Sequence, residues 1–71
     1  MRQNQAGLWR VIYIARDESQ AQQIEDLLRQ GGFMVDRKSS DDSDARHEDI
    51  EIRALTAEAE EARLYLMERG Y

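Results

Sequence analysis

The chain has 71 residues, a net charge of −5 and no cysteine. This length allows one small domain, and the missing cysteines exclude a disulfide framework and a thiolate zinc site. Acidic residues are concentrated in the second half: residues 39–71 carry a net charge of −6, and residues 1–38 a net charge of +1. Because an acidic surface repels phosphate groups, we expect neither a nucleic-acid partner nor a membrane partner.

The N-terminal residues 1–7 are polar and precede a strand directly. We therefore expect a flexible lead-in followed by a single domain over residues 8–71. The lead-in lacks the apolar segment of a signal peptide. The longest mostly apolar run, residues 11–15, is far too short to cross a bilayer. These features predict a soluble, cytoplasmic protein.

The first predicted strand reads WRVIYIA and has apolar residues on both faces. Trp9, Val11 and Tyr13 alternate onto one face, while Ile12 and Ile14 occupy the other. A strand that is apolar on both sides is usually a central strand. We place Ile12 and Ile14 beneath the helices because both are aliphatic, although the pattern leaves the choice of face open.

The first helix follows this strand. Ser19 and Gln22 form the S-x-x-Q pattern of a capping box, which predicts Ser19 as the N-cap. Gly31 and Gly32 end the helix, since one of them can adopt the left-handed backbone conformation. The polar residues of the helix, Glu25 among them, are predicted to face water. The buried stripe at helical spacing comprises Ala21, Ile24, Leu27 and Leu28.

The second strand, residues 33–38, alternates less clearly, which favours an edge position. An acidic loop over residues 39–49 follows it. The third strand alternates well between inward and outward residues. Thr56 is the predicted N-cap of the second helix, and Gly70 ends that helix. The inward residues of this half comprise Ile50, Ile52, Ala54, Ala59, Ala62 and Leu66, with Tyr65 beside them.

This order of elements predicts an α+β fold, βαββα, with a three-stranded sheet. Both helices lie on one face because strand–helix–strand crossovers are right-handed. The first strand can lie between the other two, or at an edge beside the third. In a ferredoxin-like arrangement a fourth strand would follow the second helix and pair with the first strand. We therefore expect either a sheet with an unfilled edge or an edge that another molecule fills.

His47 is the only histidine and lies among acidic loop residues, so a metal-binding or general-base role can be considered. One histidine offers no second nitrogen ligand, and a solvated loop histidine is the simpler interpretation. An EF-hand loop starting at Asp42 would have Arg53 in place of the essential glutamate. We expect no dedicated metal site, with loose divalent-cation binding by Asp41, Asp42 and Asp44 as the alternative.

No arrangement for nucleophilic or cofactor-dependent catalysis is recognisable in the sequence. A dinucleotide fingerprint needs glycines between strand and helix, where this chain has Arg16, Asp17 and Glu18. Lys38 is the single lysine and lies near the end of a predicted edge strand. We therefore predict a protein that is not an enzyme and binds no cofactor.

The first strand is the segment most directly related to function. With both helices on one face, its outward apolar residues project from the uncovered side of the sheet, and exposed apolar patches mark partner surfaces. Trp and Tyr are also enriched at interface centres. We predict a partner-binding surface at Trp9, Val11 and Tyr13, with packing by the N-terminal tail and Arg53 as the alternative explanation. The partner is another protein or a second copy of the chain, which would form a homodimer.

The chain also resembles a known family. The segment WRVIYIA, the pattern I-x-x-L-L-x-x-x-G-F-x-V and an acidic strand entering a Glu/Ala-rich helix are similar to the small bacterial signal-transducing protein family, a domain of unknown function. The resemblance covers about residues 8–69. The matching positions are Tyr13, Ala15, Ile24, Leu27, Leu28, Gly32, Val35, Ile52, Ala59 and Ala62.

This resemblance implies a fold like half of a ferredoxin-like domain or a PII nitrogen-regulatory protein, and a role in signal transduction. Some short relatives carry a glutamate decarboxylase name, but that chemistry needs a large cofactor domain with a Schiff-base lysine. We therefore expect a small interaction or regulatory module that self-associates through its sheet face or edge. The alternative is a sensing domain that binds a small molecule or a divalent cation at the open sheet face or the acidic loop.

Overall fold

A computed structural model describes residues 5–39 and 49–71. A 3-10 turn, Thr56–Glu58, joins the last strand to the last helix. The α+β class and the βαββα order are confirmed, with one short helix added before the first strand. The elements in chain order are α1 (Gln5–Leu8), β1 (Trp9–Ala15), α2 (Glu18–Gln30), β2 (Val35–Ser39), β3 (Ile50–Leu55) and α3 (Ala59–Glu68).

The three strands form one antiparallel sheet in the order β1-β3-β2. β1 and β2 are connected through α2 and enclose β3, which is a split β-α-β arrangement. β3, with its strict alternation of buried and half-buried residues, is the central strand. The expectation that a doubly apolar strand is central is therefore wrong for β1, which lies at an edge.

Both long helices pack against one face of the sheet and against each other. The core between the sheet and the helices contains the inward residues predicted for β3 and α3. Leu27 is half-buried and is not among the residues of this core, so the prediction that it belongs to the buried stripe of α2 is wrong. The buried apolar residues are Ile12, Ala15, Ala21, Ile24, Leu28, Ile50, Ile52, Ala54, Ala59, Ala62 and Leu66.

The helix α2 begins earlier than the predicted capping box. Its N-cap is Asp17, whose carboxylate accepts a hydrogen bond from the backbone N–H of Gln20 at 2.8 Å. Gln20 Oε1 in turn accepts from the backbone N–H of Arg16 at 3.0 Å. The prediction of Ser19 as N-cap is wrong, because D-x-x-Q is an equally good cap pattern and lies two residues earlier.

The glycines end both long helices as predicted. Gly32, with φ of +88°, and Gly70, with φ of +95°, adopt the left-handed conformation. Gly31 serves a different purpose, since a Cβ atom there would lie 2.7 Å from the ring of Tyr65. The C-terminus of α2 therefore needs one glycine for its backbone angle and one for space.

Of the predicted lead-in over residues 1–7, residues 1–4 lie outside the described residues. Residues 5–8 form α1. The hydroxyl of Thr56 donates a hydrogen bond to the backbone oxygen of Gly7 at 2.7 Å. Thr56 makes no capping bond to the 3-10 turn that it begins, so its predicted role as N-cap is also wrong.

Candidate functional site at β1

The open face is the side of the sheet that lies opposite α2 and α3. Directly opposed residues of an antiparallel pair lie on the same face, so the register assigns a side to each residue. In β3 the inward residues alternate with outward ones, and the register pairs three residues of β1 with the outward set. These are the pairs Trp9–Leu55, Val11–Arg53 and Ile14–Glu51.

The apolar patch of the open face consists of Trp9, Val11, Ile14 and Leu55. Val11 is 41% exposed and Ile14 is 56% exposed. Trp9 and Leu55 are half-buried. Exposed apolar side chains that are contiguous along one strand are typical of a surface that binds a partner.

A β-bulge in β1 changes the face of two residues. The register shifts between Val11 and Tyr13, which leaves Ile12 as the extra residue. Ile12 remains buried, Tyr13 packs against the core, and Ile14 turns to the open face. The prediction that Tyr13 lies on the open face and Ile14 beneath the helices is therefore wrong. Trp9 and Val11 lie on the predicted face.

Tyr13 is held by the C-terminal end of the described chain. Its ring meets that of Tyr71 edge-on, with 5.8 Å between the ring centroids and an angle of 86° between the planes. The Tyr71 hydroxyl donates to Gln23 Oε1 on α2 at 3.2 Å. Tyr13 thus belongs to the packing between β1 and the helices, and its exposed part lines the edge of the sheet.

The edge groove is a depression of about 520 Å³ between the outer edge of β1 and α3. Its floor is β1 from Arg10 to Ile14, and its wall is formed by Ala59, Glu60 and Arg63. Within residues 5–39 and 49–71, β1 pairs with β3 on one side and with no strand on the other. Alternate backbone N–H and C=O groups of β1 therefore point away from the sheet with no strand opposite them.

The edge groove carries both signs of charge. Arg10, Arg63 and Glu60 are exposed on its lining. In the described part of the chain, Arg10 and Arg63 lie in no salt bridge, unlike the arginines of α2, β2 and β3. The groove can therefore bind a polypeptide backbone through β1 and charged side chains through its wall.

The β2 side of the open face is charged instead of apolar. Arg53 of β3 forms an ion pair with Asp36 of β2, and Glu51 lies opposite Lys38. Within residues 5–39 and 49–71, the buried Nε atom of Arg53 has no hydrogen-bond partner. The outward positions of β2 itself, Asp36 and Lys38, thus add nothing to the apolar patch.

The inward side of β2 carries an ion-pair network to α2. Arg37 Nη1 lies 2.7 and 2.8 Å from the two carboxylate oxygens of Glu18, and Arg37 Nε donates to Glu25. Glu25 also pairs with Arg29 at 3.1 Å. Glu25 is only 6% exposed, so the prediction that it faces water is wrong, and its arginine partners are the reason it can be buried. The hydrogen bonds from Arg37 to Glu18 and then to Glu25 raise the pKa of Arg37 above its ordinary value.

The remaining sequence candidates for chemistry do not join this site. His47 and the acidic residues Asp41, Asp42 and Asp44 lie outside the described residues. Lys38 is exposed on β2. Across residues 5–39 and 49–71 there is no cluster of three or more His, Cys, Asp or Glu side chains able to hold a metal ion.

Comparison with known proteins gives no relative for this chain. No protein-family model matches it, and neither does any curated protein or solved structure. Among residues 5–39 and 49–71, every helix is too short or too polar to cross a membrane.

Sequence reasoning missed two parts of the site. The sequence pattern puts Ile14 inward, because a bulge leaves no mark in an apolar run such as VIYIA. Nothing in the sequence singles out Glu60 and Arg63, because they become part of the site only when β1 is an edge strand and α3 lies beside it. Their positions next to the buried Ala59 and Ala62 were the available signal.

Proposed function

We propose that this protein is a small, non-enzymatic interaction or regulatory module that self-associates through β1. One observation carries the proposal: the same strand has exposed apolar side chains on its open face and, within residues 5–39 and 49–71, a backbone edge that pairs with no strand. Val11 and Ile14 supply the exposed apolar surface. A strand with both features is the kind of edge that other chains pair with, unless something protects it.

The size of the domain supports self-association. A domain of about 70 residues buries only about 60% of the surface that its unfolded chain exposes and has little stability to spare. Burial of apolar surface contributes about 25 cal/mol per Å². Bringing the apolar side chains of β1 against those of a second copy would therefore stabilise both copies at once.

We further propose that the chain is a bacterial, cytoplasmic protein of the signal-transducing family that its sequence resembles. The support is the order of its strands and helices, which over residues 5–39 and 49–71 equals the first three strands and both helices of a ferredoxin-like arrangement. The residues common to the resemblance include core positions such as Ile24, Leu28 and Ile52. They specify a fold and no chemistry, in keeping with a binding function.

Self-association can be tested with two matched lysine variants. Ile14→Lys places a charge in the apolar patch, while Leu64→Lys changes a residue of α3 that is 53% exposed and lies beside Gly31 and Phe33, away from β1. Both add one positive charge. In sedimentation velocity we expect a dimer for the unaltered chain, weakened at least about tenfold by Ile14→Lys, equivalent to about 1.4 kcal/mol. Leu64→Lys should leave the dimer unchanged.

Two results would contradict the proposal. One is a monomer at every concentration at which the chain remains folded. The other is a dimer that Leu64→Lys weakens as much as Ile14→Lys does, because that would place the interface elsewhere or assign the effect to net charge.

A second candidate function is the sensing of a small anionic molecule in the edge groove. The favouring observation is that Arg10 and Arg63 face this groove and form no salt bridge within the described part of the chain. NMR titration with carboxylate and phosphate metabolites would then shift the signals of these two residues in the monomer. Calcium and magnesium titrations test the alternative that the protein senses a divalent cation. For that alternative we expect NMR signal shifts confined to residues 41–49.

A further inference from the structure

We propose that β1 of one copy pairs antiparallel with β1 of a second copy, so that two three-stranded sheets become one continuous six-stranded sheet. This inference rests on the proposed self-association and specifies its geometry. The occupant of the edge groove would be the β1 strand of the second copy, lying beside the first where the fourth strand of a ferredoxin-like sheet would lie.

The outer backbone edge of β1, which pairs with no strand in the described part of the chain, favours strand addition. A twofold axis perpendicular to the sheet reverses the direction of the strand, so the two β1 strands meet antiparallel and each provides the same donors and acceptors to the other. At about 3.3 Å per residue the seven residues of β1 offer a ladder about 23 Å long. The interface uses identical surfaces and closes after two copies.

The composition of β1 does little to prevent this pairing. Natural edge strands are protected by lysines, prolines, shortness or bulges. β1 has one charged residue, Arg10, and no proline. Its bulge at Ile12 bends the strand but leaves Trp9–Val11 and Tyr13–Ala15 on either side of it with outward backbone groups.

The charges of the edge groove are compatible with a second copy. The chain carries a net charge of −5, but the groove lining holds Arg10 and Arg63 against a single acid, Glu60. The twofold axis that pairs the strands places the two α3 helices on the same face, side by side. Each α3 then presents Glu60 and Arg63 to the other in reverse order, so a twofold axis that passes between these two residues brings the acid of each copy to the base of the other.

A second copy also covers surface that a lone peptide strand would leave exposed. Met67 is 61% exposed and lines a smaller depression together with Arg63 and Tyr13, next to the edge groove. A peptide added to β1 would cover the strand edge alone. A second copy brings its own α3 and buries Met67 as well, which favours the chain itself as the occupant.

Isotope-filtered NMR on a mixture of ¹³C,¹⁵N-labelled and unlabelled chains tests this geometry. Antiparallel pairing brings the Hα atoms of opposed, non-hydrogen-bonded residues close together. We expect intermolecular NOEs between Hα atoms of residues 9–15 of the two copies. They should weaken in the Ile14→Lys variant and persist unchanged in the Leu64→Lys variant.

The outcomes separate the geometry from the proposed function. Hα–Hα NOEs within β1 support the continuous sheet. A dimer with intermolecular NOEs only between side chains of the apolar patch overturns this inference and leaves self-association standing, because two sheets packed face to face lie about 10 Å apart. A monomer overturns both the continuous sheet and the proposed self-association. This holds even if the β1 signals of the monomer shift when an extended peptide is added.

Discussion

The two edges of the sheet differ in nearly every property that governs strand addition. The β2 edge is short and reads VDRKS, with three charged residues among its five. Two of those charges, on Asp36 and Arg37, are bound to β3 and α2. The β1 edge is seven residues long and reads WRVIYIA, with one charge that lies in no salt bridge within the described part of the chain.

This contrast indicates that β2 is the edge that remains unpaired. Charged side chains on an edge strand oppose the approach of another strand, and salt bridges fix β2 to its own domain. Of the features that oppose the approach of another strand, β1 has a bulge and a single charged residue. The difference predicts that intermolecular contacts concentrate at β1 while β2 contributes to the stability of the fold.

The largest effect is expected at the β2 edge. Arg37→Met keeps the aliphatic stem but leaves Glu25, which is 6% exposed, with Arg29 as its remaining partner. We expect the free energy of unfolding to fall by about 2 kcal/mol, because a buried carboxylate that loses a partner is costly. Urea denaturation measures this. Lys38→Met on the exposed side of the same strand is the control, and an equal loss there would contradict the role of the network.

The pH dependence of this network follows from the raised pKa of Arg37. A raised pKa of a base means that its contribution to stability is complete below the ordinary pKa of arginine and is lost only when pH rises through the folded-state pKa. Arg37 therefore remains charged throughout the usual range of pH. We expect the stability difference between the unaltered chain and Arg37→Met to be constant between pH 7 and pH 9, as checked by urea denaturation at both values.

A smaller effect is expected from the charges beside β1. Arg63→Glu makes the α3 wall of the edge groove uniformly acidic, and we expect the dimer dissociation constant to rise by about three- to tenfold, as for exposed charge pairs. The double variant Glu60→Arg/Arg63→Glu keeps the net charge and restores one acid and one base. Sedimentation equilibrium should show near-normal affinity for it. An unchanged dimer affinity of the Arg63→Glu variant would show that α3 is not part of the interface.

The smallest effect is expected on the open face. Asp36→Asn removes the charge that pairs with Arg53, in a site where the two side chains are 40% and 26% exposed. We expect a loss of about 0.5 kcal/mol in the free energy of unfolding, measured in urea, with no change in dimer affinity. A weaker dimer would show that the interface extends across the open face to β2. The two edges would then differ less than the structure indicates.

The fold could be predicted from the sequence because it depends on local patterns. Alternation in β3 identified Ile50 and Ile52 as inward, and helical spacing identified the stripes of α2 and α3. Gly32 and Gly70 marked the helix ends because only a left-handed position needs glycine there.

The candidate site was predicted less well because it depends on pairing between distant segments. The bulge that exchanges the faces of Tyr13 and Ile14 arises from the register with β3, and nothing in an apolar run indicates it. The burial of Glu25 depends on Arg37, twelve residues away. The position of β1 at an edge was one of two orders left open, and it contradicts the usual central place of a strand that is apolar on both faces.

The most direct test of the difference between the edges is amide hydrogen exchange of β1 and β2 at two protein concentrations. An edge strand protects alternate amides, whereas a strand paired on both sides protects all of them. We predict that all the amides of residues 9–15 are protected at high concentration and that alternate ones lose protection on dilution, while β2 shows the alternating pattern at both. Alternating protection in β1 at both concentrations would contradict the claim that this protein binds its partner through β1.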